Sequence, residues 1–168
     1  MLNHLKSRFF FHNIPFDKES AIFYLYDFGG NLSGYQKYTP SAPKSRSNNG
    51  RYFTYVSPNR IAVWGLQYAY PTKLMIITEG VFKSCRFNNY NINSIAVLGN
   101  NPLQLREQLK LLSLQYKIVI IPDPDKAGTK LLQFSDNFII PTKPVDDMNE
   151  SEFESLLQQI YNLTEAKP

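Results

Sequence analysis

Two aspartates two residues apart, Asp123 and Asp125, follow the β-branched run KIVII at 117–121 and precede Lys126, Ala127 and Gly128. Side chains at i and i+2 of an extended chain point the same way, so this pair can present both carboxylates to one site. A third acid, Glu79, follows the apolar run LMIIT at 74–78 and is itself followed by Gly80. Carboxylates gathered at a water-accessible edge repel one another unless a cation lies among them. Magnesium suits such a set because it accepts carboxylate oxygen, keeps several waters and bridges to phosphates, and manganese can substitute for it. Two of these acids also have a plain structural reading: Asp125 as the cap of a following helix, Glu79-Gly80 as a turn. Their occurrence after two strands of the same kind favours the metal site.

The elements that must position these acids can be read from residue 74 onward, where short apolar runs alternate with amphipathic ones. This pattern predicts βα units around a parallel sheet. Strands are expected at 74–78, 95–98, 117–121 and 137–140, and helices near 81–90, 102–115, 126–135 and 150–162. The second helix is introduced by Asn101-Pro102, a cap and a first-turn proline, and lines up Leu105, Leu109 and Leu112. The last has Asn149 as cap with Glu152 three residues on, and Phe153, Leu156, Leu157 and Ile160 at helical spacing. Ligands of doubly wound parallel sheets gather outside the carboxyl ends of the strands, which is where Glu79, Asp123 and Asp125 fall. The first 70 residues read differently. Strand-like pieces at 21–27 and 51–56, a Gly29-Gly30 turn and the polar loop 39–50 predict a small antiparallel sheet. The expected organisation is therefore an N-terminal α+β, antiparallel-sheet subdomain over 1–70 and a helix-flanked parallel sheet over 71–168.

Composition narrows the chemistry. The 168 residues hold one cysteine, Cys85, and two histidines, His4 and His12, with no zinc-ligand spacing and no partner for an internal disulfide. No apolar run reaches the length of a membrane span, and the N-terminus lacks a secretory pattern, so no membrane association and a cytoplasmic location are expected. The net charge of +4 is unevenly divided. Residues 1–75 hold nine Lys or Arg against three Asp or Glu, residues 76–168 nine against eleven. In the basic half Tyr35, Tyr38, Tyr52, Phe53 and Tyr55 lie among Lys37, Lys44, Arg46 and Arg51. Cations for phosphates and rings for bases are a means of holding single-stranded nucleic acid, while a half-buried sheet with a solvated basic face accounts for them equally well.

At these motifs the sequence resembles the Toprim domain of bacterial and phage-type DNA primases. That family is marked by a Glu after its first strand, here Glu79 in LMIITEG, and by Asp-x-Asp after its third, here Asp123 and Asp125 in IIPDPDKAG. The intervening INSIAVLGNNPLQLREQLKLL and the flanking LYDFGGNLSGYQKYTP, GRYFTYVSP and RIAVWGLQYA are similar to primase segments as well. Downstream, KPVDDMNESEF resembles the family's late Asp-containing stretch, with Asp147, and after it Asn149 and Glu150, on matching positions. The resemblance covers about residues 20–160. It implies a Toprim-like α/β fold in which Asp123, Asp125 and Asp147 hold magnesium with a nucleotide, and Glu79 moves a proton or adds a ligand. It further implies that Lys37, Arg51 and Arg60 line a groove for template and nucleotide.

The implied activity is DNA primase activity in DNA replication: metal-dependent nucleotidyl transfer that joins ribonucleoside triphosphates into RNA primers on single-stranded DNA, in a phage or another mobile element. Lys126 and the loop 39–50 would add positive charge around the phosphates. The main departure from the family pattern is Lys83, where the primase branch has an Asp; it places a cation beside the acids. A cysteine-rich zinc region is also missing, so template recognition is expected to come from elsewhere, and a replicative helicase or a separate zinc-bearing subunit is an expected partner. Two alternatives use the same residues differently: a Toprim nuclease, and a non-catalytic nucleic-acid-binding subunit of a replication assembly.

Overall fold

The computed structural model describes residues 14–16, 18–45, 49–68, 70–98, 102–124 and 128–164. They form a mixed α/β structure with two three-stranded sheets. In the first sheet β1 (Ala21–Tyr26), β2 (Leu32–Tyr38) and β3 (Tyr52–Val56) are antiparallel in the order β1-β2-β3. In the second, β4 (Leu74–Thr78), β5 (Asn93–Ala96) and β6 (Lys117–Ile120) are parallel in the order β5-β4-β6.

The central strand β4 is buried along its whole length, which is why it reads as an unbroken apolar run. Its residues alternate between two cores. Leu74 and Ile76 join Phe87, Val119 and Ile121 on one face, under Phe153, Leu156, Leu157 and Ile160. Met75 and Ile77 join Ile95, Ile118 and Ile120 on the other, under Leu105, Leu109 and Leu131. The first face is covered by helices α1 (Val81–Asn88) and α3 (Glu150–Thr164), the second by α2 (Pro102–Ser113). Asn149 and Glu152 form the expected capping box: each accepts the other's backbone N–H, at 2.9 and 2.7 Å. Lys143 beside it, with that backbone N–H, holds the Glu152 carboxyl below its usual range.

The strand expected at 95–98 lies two residues earlier, at Asn93–Ala96, and two expected elements differ in kind. Residues 137–140 do not form a strand; Phe138 makes a single parallel bridge to Ile120, with bonds from Ile120 N to Asn137 O and from Ile139 N to Ile120 O. Pro141 directly after this stretch removes a donor that a longer ladder would need. The expected helix over 126–135 is, in its described part, a 3-10 helix at Gly128–Phe134.

The two sheets share backbone hydrogen bonds through one short segment. Val63 exchanges both bonds with Tyr26 of β1, and the next residue, Trp64, exchanges both with Ala96 of β5. Trp64 is buried with Phe23, Leu25, Val81, Phe82 and Cys85, so this core ties the antiparallel sheet to α1. Gly65 follows with φ +107°, and a Cβ there would lie 2.2 Å from the carbonyl oxygen of Ser94. Directly after Tyr26, Asp27 closes the turn between β1 and β2. Its Oδ1 accepts the backbone N–H of Asn31 at 2.9 Å and of Gly29 at 3.0 Å. The Asn31 backbone bond leads the interactions that hold the Asp27 carboxyl below its usual range, helped by the Asn31 and Ser33 side chains.

Gly65→Ala is expected to destabilise the protein by about 1–3 kcal/mol through positive-φ strain and the Ser94 contact, read as a fall of several degrees in Tm. A carboxylate with a lowered folded pKa contributes stability in full above the unfolded value of about 4, and loses that contribution as pH falls through the folded value. The Tm difference between wild type and Asp27→Asn is therefore expected to be constant from pH 7 to 5 and to shrink below pH 4.

Candidate functional site

Strands β4 and β6 end side by side, and the chain emerging from each carries an acid. The last ladder bonds there run from Ile121 N to Ile77 O, and, past β5, from Val97 N to Thr78 O and from Leu98 N to Glu79 O. Glu79 thus has its own carbonyl pinned by the neighbouring strand's continuation, where Leu98 takes a φ of +54°. Asp123 stands two residues beyond the last β6 bond. Beneath this turn three buried hydroxyls are chained: Thr78 Oγ1 to Ser84 Oγ at 2.8 Å, and Ser94 Oγ to Ser84 Oγ at 3.1 Å. They tie β4, α1 and β5 together below the acids. Their sequence signal is slight, because isolated Ser and Thr in apolar runs have no periodicity of their own.

Glu79, Asp123 and Asp146 line one cleft of about 310 Å³, a size within the ordinary range of ligand sites. Gly80, Val81, Phe82 and Lys83 form another wall, so the first turn of α1 borders it. Gln36 and Tyr52 contribute from the antiparallel sheet. The cleft therefore lies between the two sheets at the carboxyl edge of the parallel one.

The late acid that reaches the cleft is Asp146, whereas the sequence pointed to Asp147. The two belong to the 3-10 turn Val145–Asp147, in which successive side chains diverge by about 120°. Val145 is buried in the core beside α3, Asp146 turns to the cleft, and Asp147 is exposed and outside the lining. The turn is held by Arg86, another residue the sequence reading passed over. Its Nη1 donates to the carbonyls of Val145 (2.9 Å) and Met148 (2.5 Å), and its Nη2 to that of Asn149 (3.0 Å). The guanidinium also lies 4.2 Å from the centre of the Phe153 ring.

The expected cations are dispersed. Lys83 alone among the described ones lines the cleft, and its Nζ contacts Asp123 Oδ1 directly; the two side chains are 13% and 23% exposed. Lys37 lies beyond the cleft lining because side chains alternate along β2. Gln36, its neighbour, bonds Thr54 Oγ1 at 2.9 Å and faces the cleft, so Lys37 stands on the opposite face, across from Phe53. The same alternation divides the aromatics. Tyr38 and Tyr52 pack edge-on to Phe82 at the cleft, and Tyr35, Phe53 and Tyr55 group on the far side. Arg51 donates its Nε–H to Ala42 O at 3.2 Å and so closes the base of the loop 39–50. Arg60 pairs with Asp27 Oδ2 at 3.2 Å, at the β1–β2 turn. Asp125 and Lys126 lie outside the described residues.

The donor set has the chemistry of a hard-cation site: carboxylate oxygens at an open cleft, without sulfur or imidazole. Among the described residues no three acids stand close enough together to enclose one ion. Magnesium does not need that; it is commonly held by one or two carboxylates, with water and phosphate completing its shell. Glu79 and Asp146 fit such a site, with Asp123 shared with Lys83.

No protein-family model matches the chain, and no curated protein sequence matches it. Solved structures similar to it are primase catalytic cores. The zinc-binding and RNA polymerase domains of the Aquifex aeolicus primase superpose with a TM-score of 0.58 at 22% identity, over 86% of this chain and 40% of that one. A DNA primase domain from Pseudomonas aeruginosa gives 0.61 at 17% identity, over 87% and 51%. A DnaG primase catalytic domain bound to ssDNA gives 0.59 at 15%, over 99% and 65%. The chain thus spans about two-fifths to two-thirds of these neighbours, and what it shares with them is the fold. No described helix is long and apolar enough to cross a membrane.

Arg86→Ala removes the guanidinium from three carbonyls, of which those of Val145 and Asn149 keep a backbone N–H, and is expected to destabilise the protein by about 1–3 kcal/mol and to speed amide exchange over 145–150. Arg86→Lys restores little of this, because an ammonium cannot reproduce the fork that serves three acceptors. Hydrogen exchange with mass spectrometry reads both effects.

Proposed function

We propose that this chain is a compact Toprim protein of the primase type, which joins ribonucleoside triphosphates into RNA primers on single-stranded DNA. The observation that carries this reading is the convergence of Glu79, Asp123 and Asp146 on one cleft at the carboxyl edge of the parallel sheet. The likeness of the fold to primase cores supports it. A bound magnesium ion would neutralise phosphate oxygens and orient the triphosphate, the chemistry on which phosphoryl transfer chiefly depends.

The protein's own contributions follow from the cleft walls. Glu79 and Asp146 would hold the ion at the cleft. Backbone N–H groups in the first turn of α1, which lacks acidic residues, offer donors and the positive end of the helix dipole to phosphate. Lys83 adds a full positive charge at the same wall. Tyr52 and Gln36 place a ring and an amide across from the acids, where a base or ribose would lie. The covalent chemistry needs no protein nucleophile: the 3′-hydroxyl of the growing primer attacks the α-phosphorus of the incoming triphosphate, and pyrophosphate leaves. Glu79, next to the cleft and backed by the Leu98–Glu79 backbone bond, is suited to take up the hydroxyl proton.

With magnesium, a random single-stranded DNA template and labelled ribonucleotides, the protein is expected to make short template-dependent RNA. Glu79→Gln, Asp123→Ala and Asp146→Asn should each lower the rate on the order of 100-fold or more, while Asp147→Asn should stay within about threefold of wild type. Degradation of DNA or RNA in place of synthesis would transfer these residues to a nuclease. Unaltered activity in Asp123→Ala would remove the catalytic reading.

A further inference from the structure

Lys83 is an unusual residue for the wall it occupies. It sits in the first turn of α1, where the helix dipole disfavours a cation, and its side chain is mostly withdrawn from water. The contact with Asp123 Oδ1 compensates for both penalties. Among the described residues the charges that line the cleft, three carboxylates and one ammonium, sum to −2, which a single divalent cation neutralises. A second divalent ion would have to displace the Lys83 ammonium from Asp123 and would leave these four groups at +2.

On the basis of the function proposed above, we propose that Lys83 is a built-in cation. It holds Asp123 when no metal is bound, restricts the cleft to one divalent ion, and supplies the second positive charge for the triphosphate. The ion then rests mainly on Glu79 and Asp146, and the Asp123–Lys83 pair forms the opposite wall. A lysine in this role cannot dissociate, so the second positive charge is present at any metal concentration.

The test counts ions without nucleotide or nucleic acid present. Mn2+ is titrated into the purified full chain, and free Mn2+ is read by electron paramagnetic resonance. Wild type and Lys83→Arg are expected to bind one ion. Lys83→Met, which keeps the packing of the stem, is expected to bind Mn2+ at least about tenfold more tightly, the scale set by removing one nearby positive charge. Lys83→Asp is expected to bind two ions. Circular dichroism melting identifies any variant that has not folded, and Lys83→Met and Lys83→Asp provide independent readings. Two ions in wild type would overturn the inference, as would identical number and affinity in wild type, Lys83→Met and Lys83→Asp. Absence of Mn2+ binding in every form would overturn it together with the metal reading of the cleft. One ion in wild type, tightened or doubled in the variants, in a protein that makes no primers would support the inference and reject the primase activity.

Discussion

Parallel pairing of β4 on both of its edges is the constraint from which the rest of the structure follows. A parallel strand with neighbours on either side has its backbone groups satisfied within the sheet and both faces available for apolar side chains. Leu74, Met75, Ile76 and Ile77 therefore build two cores at once, and helices must cover each. All three strands also run the same way, so the segments that leave them emerge at one edge. Glu79 and Asp123 are brought together by strand direction before any attraction to a ligand is considered. The buried Thr78, Ser84 and Ser94 hydroxyls then fix the α1 turn, so the acids stand on a rigid base.

The antiparallel sheet completes the cleft because it is bonded to the same framework. Val63 and Trp64 pass from an exchange with β1 to an exchange with β5 within two residues. Gly65, whose lack of a Cβ admits the Ser94 carbonyl, makes that close passage feasible. Strand parity determines what the sheet contributes. Gln36 and Tyr52 share the inward face with Phe23 and Tyr38, while Lys37 and the Tyr35, Phe53 and Tyr55 group lie outward. The basic and aromatic character of the first 75 residues is thus split between two surfaces, and the cleft receives mainly rings and an amide from it.

Elements set by short-range pattern were legible in the sequence. The β4 run, the Asn149–Glu152 capping box and the leucine face of α2 each depend on neighbours within about four residues. The mixed α/β class with a parallel and an antiparallel sheet followed from them. What was less legible depended on register or on distant partners. That Lys37 faces away from the acids follows from its neighbour Gln36 facing them, which requires the β1–β2–β3 register. Arg51 and Arg60 read as free cations until Ala42 and Asp27 are placed beside them. Asp146 and Asp147 are adjacent and chemically alike, and only the 3-10 turn held by Arg86 distinguishes them. Lys83 stood out as a departure from the primase pattern, but its contact with Asp123 joins residues 40 apart and could not be read from spacing.

The acids, the lysine and the first turn of α1 form one electrostatic unit: negative groups set by the sheet edge, offset in part by a tethered ammonium and a helix N-terminus. The most direct test of that unit is anomalous diffraction at the manganese edge, from crystals grown with Mn2+ and a ribonucleoside triphosphate analogue. The account predicts one manganese peak between Glu79 and Asp146, with the triphosphate toward Lys83. A peak at the Asp27–Arg60 turn in place of the cleft, or no peak beside Glu79 and Asp146, would contradict it.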